Sequence, residues 1–326
     1  MRNFLTMTGF AALLAGAALF SPSPAESASC CGGGSASGLI VPKFAKAVAD
    51  ISTDLEIYDG FWNQKQEYTS DPPGSDLRQY RLNLGYAHRI GQKWQVGATL
   101  PYVWNENNYS GLKTSSQGLG DASLFLWYDL LEERPLWLSK GAEVLIPTIT
   151  IGTSLLLPTG ISPYDSEESS FDVTGRGFYR LDGNLLIDKT MKAWNTSLVL
   201  GYGTYFERPI NQEYGKAVAP YDKMPGNRLS ASASLGYRYF VGTGGDTVTG
   251  TIGYAYLTED EAEIDGASDR NSAFSKQSLS GTVTYSSTDS DWSIRGAWSH
   301  ALKKDGWGEN FPVTDIYTLG VRYVFR

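Results

Sequence analysis

Asp315-Ile316-Tyr317-Thr318-Leu319-Gly320-Val321-Arg322-Tyr323-Val324-Phe325-Arg326 ends the chain and alternates almost without interruption. Tyr317, Leu319, Val321, Tyr323 and Phe325 share one face; Ile316, Thr318, Gly320, Arg322 and Val324 share the other. A period of two is that of a β-strand. A last strand of this kind, with an aromatic residue one place from the terminus, is the pattern of an outer-membrane β-barrel. It bears both on where the chain resides and on how its sheet closes.

Eleven further alternating segments precede it, beginning near Ala47. The first sets Ala49, Ile51, Thr53, Leu55 and Ile57 against Asp50, Ser52, Asp54 and Glu56, and is expected to pair with the terminal strand. The clearest sets Leu229, Ala231, Ala233, Leu235, Tyr237, Tyr239 and Val241 against Arg228, Ser230, Ser232, Ser234 and Arg238. The fourth is irregular, because Phe125 and Trp127 fall on the face of Asp121 and Ser123. Short connections at 88–93, 188–193, 242–246 and 286–291 alternate with long ones at 61–75, 105–118, 158–175, 207–227, 258–273 and 301–312. Short periplasmic turns, long outer loops and an even strand count define a transmembrane barrel. The segment 130–141 should be a short turn and is too long for one. A secreted sandwich or soluble barrel has no reason to keep the short/long order. The expected fold is therefore all-β: a single antiparallel transmembrane β-barrel of about 12 strands over residues 47–326.

The chain has 326 residues and a formal net charge of −8, which argues against nucleic-acid partners. Arg2, the apolar run 11–20 and Ala25-Glu26-Ser27 read as a secretory signal peptide over residues 1–27. No other stretch approaches the roughly 18 apolar residues of a spanning helix. A barrel spans differently: every backbone N–H and C=O must be paired inside hydrocarbon, so the sheet closes on itself. The apolar face then meets lipid and the polar face lines the interior. Tyr58 and Trp62, Tyr102 and Trp104, Tyr237 and Tyr239, and Tyr254 and Tyr256 lie near strand ends, where interfacial girdles form.

Strand parity turns Arg81, Arg180, Arg228, Arg238, Arg295 and Arg322 inward, together with Asp50, Asp54, Glu56, Asp121 and Asp182. Such groups must pair or meet water, since an isolated buried charge is too costly. Two arrangements satisfy that requirement: a polar pore wall, or a salt-bridge network closing the barrel. Arg81, Arg180, Arg228, Arg238, Arg295, Asp54, Asp121 and Asp182 are the candidate pore-lining residues. Catalysis has little support: His88 sits at a short turn and His300 on the opposite face from Ser299. No Gly-x-Ser-x-Gly or His-Glu-x-x-His motif occurs. No cofactor is implied.

Residues 28–46 read as a flexible periplasmic tail carrying Cys30-Cys31-Gly32-Gly33-Gly34. Cys30 and Cys31 could be a lipid attachment point, a soft-metal site or an incidental thiol pair; two ligands fall short of a structural zinc site. Glu259-Asp260-Glu261-Ala262-Glu263-Ile264-Asp265 reads as a solvated acidic outer loop without calcium-loop spacing.

Leu100-Pro101-Tyr102, Gly118-Leu119-Gly120-Asp121 and Leu157-Pro158-Thr159-Gly160 occur in this order. Over about residues 80–160 the chain resembles the family of outer-membrane proteins linked to the meta-pathway of phenol degradation. The resemblance implies a channel or transporter for passive passage of small solutes, aromatic or hydrophobic compounds among them. For the motif residues it implies structural roles: glycines opening a strand and prolines ending one. The last strand resembles the signal read by the barrel-assembly machinery, with Arg326 following the usual terminal Phe. Expected partners are that machinery, outer-membrane lipid, lipopolysaccharide and a small-molecule solute.

Overall fold

Each of the alternating segments forms a strand in the computed structural model, which describes residues 39–62, 67–133, 141–165, 172–242, 244–270, 272–289, 291–303 and 312–326. They are β1 (Ala47–Trp62), β2 (Asp76–Ile90), β3 (Trp94–Tyr109), β4 (Ala122–Leu131), β5 (Thr148–Leu157), β6 (Arg180–Met191), β7 (Trp194–Tyr205), β8 (Arg228–Val241), β9 (Asp246–Glu259), β10 (Phe274–Ser286), β11 (Trp292–Ala301) and β12 (Pro312–Phe325). Sequential strands pair antiparallel, and β12 returns to β1 from Ala47↔Phe325 to Tyr58↔Thr314. The sheet is a closed 12-stranded barrel. Closure removes the sheet edges, which is what lets strands cross hydrocarbon.

Register decides which face meets which solvent. Ile51, Ile252, Val283 and Leu319 are 55%, 68%, 59% and 60% exposed on the outer surface. In a water-soluble protein such a belt would be a severe liability; in a bilayer it is the required lipid-facing surface. Aromatic pairs flank the belt near the short turns: Trp94 with Tyr128, Trp194 with Tyr237, and Tyr323 with Phe325, each with ring centroids 4.8 Å apart. Tyr102 and Trp104 meet at 5.5 Å near the opposite rim.

The irregular connection after β4 contains a 3₁₀ turn at Gly141–Leu145. Three outer connections are more ordered than their composition suggests. Leu112–Leu119 prolongs β3 as a hairpin beyond the membrane. Arg208–Glu213, Lys216–Met224, Ala262–Ile264 and Ala267–Asp269 form a separate four-stranded sheet. The tips Ser110-Gly111, Tyr214-Gly215 and Asp265-Gly266 hold both residues at positive φ (52° and 92°, 45° and 73°, 51° and 75°), the type I′ geometry of tight hairpins. The acidic stretch is thereby corrected as well: Ala262–Ile264 is a strand of that sheet, and Glu259 is buried at the end of β9.

The described part of the expected flexible tail is packed. Leu39, Val41 and Ala45 are buried with Val48, Ala87, Phe125, Trp127 and Val324. An apolar segment placed beside the periplasmic strand ends thus fills the base of the lumen.

Candidate functional site

The interior begins with a charged seam. Asp50 on β1 accepts Nη1 and Nη2 of Arg295 at 2.5 and 2.8 Å, and Nε of Arg322 at 3.0 Å. These bonds join β1 to β11 and β12 across the closing seam. Two repeats of the pleat further along β1, Asp54 accepts from Thr318 Oγ1 at 2.7 Å and Asn83 Nδ2 at 2.8 Å. Arg81 donates to Glu56 at 2.7 Å and Gln79 at 2.8 Å, and its Nε lies 3.5 Å from Asp54. Alternation puts every one of these side chains on the inner face, where each charge finds an opposite.

The far wall is different. Ser230, Ser232, Ser278, Ser280 and Thr282 present hydroxyls to a cavity of about 540 Å³. Its charged lining is Asp54, Asp182, Arg180, Arg228, Lys276 and Arg295. Arg180 Nε donates to Asp182 at 2.7 Å, and Lys276 Nζ to Thr314 at 3.1 Å. Phe125 and Trp127 add two aromatic side chains.

Those rings explain the irregular fourth strand. Phe125 pairs across the sheet with Gly97, and Trp127 with Gly152. A Cβ on Gly97 would lie 2.4 Å from the Phe125 ring, and one on Gly152 would lie 2.2 Å from Cε3 of Trp127. Each ring therefore lies flat over a neighbouring strand that has no side chain there. Beneath them Arg89 donates to Asp129 at 2.6 Å and to the Val41 carbonyl at 2.9 Å, while the Val41 N–H donates to Gln95 at 2.7 Å. This clamp holds the N-terminal segment at the base of the lumen.

At the opposite mouth the three short motifs converge. Gly120 N donates to the Pro101 carbonyl at 2.9 Å, and Thr159 Oγ1 to the Gly120 carbonyl at 2.6 Å. Thr174 Oγ1 donates to the Leu119 carbonyl at 2.6 Å and accepts from Ile161 N at 2.8 Å. Asp121 accepts from the backbone N–H of Gly160 at 3.1 Å and of Arg176 at 2.7 Å. Burial pushes the Asp121 carboxyl above its ordinary range, against the pull of those two bonds. The knot ties down the connection between β5 and β6. From it Arg176 reaches across to Glu259, bidentate at 2.7 and 2.7 Å, and to the Tyr205 hydroxyl. Tyr205 also accepts from Arg180 at 3.0 Å and donates to Glu259 at 3.2 Å.

Of the candidate pore-lining residues, Asp54, Arg180, Asp182, Arg228 and Arg295 line one cavity. Arg81 stands outside that lining, hydrogen-bonded to Glu56 and Gln79 and ion-paired with Asp54. Arg238 is exposed near the periplasmic end of β8, where the strand leaves the membrane. Asp121 anchors the outer connection instead of facing the cavity. Strand reasoning passed over Lys276, which shares the inner face of Ser278 and Ser280, and Arg176, which no periodicity could place. His88 and His300 stack with Tyr86 and Trp298, at ring distances of 6.4 and 5.8 Å. Among the described residues no group of three His, Cys, Asp or Glu side chains could hold a metal ion. Cys30 and Cys31 lie outside the described residues.

A closed antiparallel barrel with a lipid-facing belt and a polar interior is an outer-membrane protein. Solved structures of that class share the fold. An outer-membrane channel from Pseudomonas putida F1 matches with a TM-score of 0.65 at 16% identity, over 88% of this chain and 98% of that one. The β domain of the Bordetella autotransporter BrkA matches with a TM-score of 0.50 at 12% identity, over 86% and 100%. No protein-family model and no curated protein matches the sequence.

Proposed function

We propose that the barrel is a passive channel for small solutes across the outer membrane. The observation that carries this reading is the cavity of about 540 Å³ inside the closed sheet, lined by hydroxyls and charged groups. A lumen meant only to be filled would be packed with side chains. Resemblance to the phenol-pathway family adds aromatic or hydrophobic compounds as the finer expectation. The similarity to the Pseudomonas putida channel supports the architecture this reading needs. On the same reading residues 1–27 direct secretion, the assembly machinery inserts the chain, and lipopolysaccharide surrounds its outer half. Reconstituted protein should give discrete conductance steps in planar bilayers and should swell proteoliposomes in small sugars or amino acids. The absence of both conductance and swelling would overturn the proposal. One observation favours a second reading, a closed structural barrel: Leu39, Val41 and Ala45 occupy the periplasmic base of the lumen. The same two measurements decide between them.

A further inference from the structure

We infer that the cavity is a binding site for a small organic carboxylate with a flat apolar body, held by Arg228 and its cationic neighbours over the rings of Phe125 and Trp127. The inference rests on the channel reading and names the solute class of that same lumen. Two independent observations carry it.

The first is charge. Four cations and two anions line the cavity. Asp182 is taken by Arg180, Asp54 by Arg81, and Arg295 is neutralised from behind by Asp50. The side chain of Arg228 makes no hydrogen bond among the described residues and interacts with the Glu259 carboxylate only at longer range. Its cross-strand neighbour is Glu259, but both Glu259 oxygens are held by Arg176. A site with this balance favours an anion, and a guanidinium offers a planar fork that matches a carboxylate.

The second is shape and polarity. Phe125, Trp127, Leu257 and Ile316 line the same cavity. An inorganic anion has no use for that surface, whereas an apolar ring does. The volume falls within the usual range of small-molecule sites, about 300–1,000 Å³.

Isothermal titration of the full-length protein in detergent tests the site, with benzoate, its neutral analogue benzyl alcohol, and acetate as probes. Benzoate should bind at least about tenfold more tightly than benzyl alcohol, because a charge-assisted hydrogen bond is worth more than one decade of affinity, and than acetate, because acetate lacks the ring that buries apolar surface. Arg228→Ala should lower benzoate affinity about tenfold, and Arg228→Lys, which keeps the charge but loses the planar fork, should recover only part of it. Equal binding of benzoate and benzyl alcohol, or an Arg228→Ala variant that binds benzoate as the native protein does, would overturn the inference. Proteoliposome flux separates the two proposals. Benzoate binding without flux or conductance leaves the site and removes the channel. Conductance without benzoate binding leaves the channel and removes the site.

Discussion

Removing Asp50 should destabilise the barrel far more than removing either of its partners. Asp50 alone neutralises two guanidiniums, accepting from Arg295 at 2.5 and 2.8 Å and from Arg322 at 3.0 Å. The side chains of Asp50, Arg295 and Arg322 are 8%, 16% and 28% exposed, so water can replace little of what is lost. Asp50→Ala leaves two uncompensated positive charges beside the β1–β12 seam. Breaking a buried pair from one side costs about 3–5 kcal/mol; residual hydration of Arg322 puts the expected loss near about 3 kcal/mol. Arg295→Ala leaves Asp50 paired with Arg322, and should cost only about 1–1.5 kcal/mol for the lost charge-assisted bonds. The Asp50→Ala/Arg295→Ala double variant should be more stable than the sum of the singles by at least about 1 kcal/mol, because it removes one stranded charge. Urea titration of barrels refolded in lipid vesicles, read by tryptophan fluorescence and by the gel mobility of the folded form, measures all three. An Asp50→Ala loss below about 0.5 kcal/mol would refute the argument that the seam is electrostatically clamped, and so would strict additivity in the double variant.

Gly152→Ala places a Cβ 2.2 Å from Trp127 and 2.8 Å from the Leu126 carbonyl, and should cost about 1–3 kcal/mol. Gly296→Ala, with nothing within 4 Å of the new Cβ, is the matched control and should stay within about 0.5 kcal/mol in the same urea assay. Arg176→Ala removes the strap from the outer connection to Glu259 and should raise hydrogen exchange at Gly160 and Thr174 severalfold; unchanged exchange would mean that the motif knot holds the connection by itself. Asp121 gives a pH signature. Burial raises its carboxyl in the folded state, so its contribution to stability is full below the ordinary carboxylate pKa and is lost as pH rises through the raised value. Relative to Asp121→Asn, the native protein should therefore lose stability on going from acid to neutral pH, and a relative gain would refute the assignment.

The twelve spanning strands were legible because two solvents impose the alternation. Lipid selects Ile51, Leu319 and Val321 on one side of the wall, and the polar lumen selects Asp50, Gly320 and Arg322 on the other. Outside the membrane that constraint disappears, so Lys216–Met224 carries little periodicity, and only Tyr214-Gly215 and Asp265-Gly266 mark the hairpins. Leu39-Ile40-Val41 is apolar in sequence, but its burial depends on rings that lie more than eighty residues away. The informative exception is β4. Phe125 and Trp127 look like errors on a polar face until register sets Gly97 and Gly152 opposite them. Both inward rings of β4 sit where the neighbouring strand leaves room for them. A break in alternation, matched across the sheet by a glycine, thus marks the place where a ring lies against the inner wall. That correspondence crosses strands, so reading it requires the pairing as well as the sequence. The residues that would set solute passage lie at this level of organisation, one step beyond the periodicity that identifies the barrel.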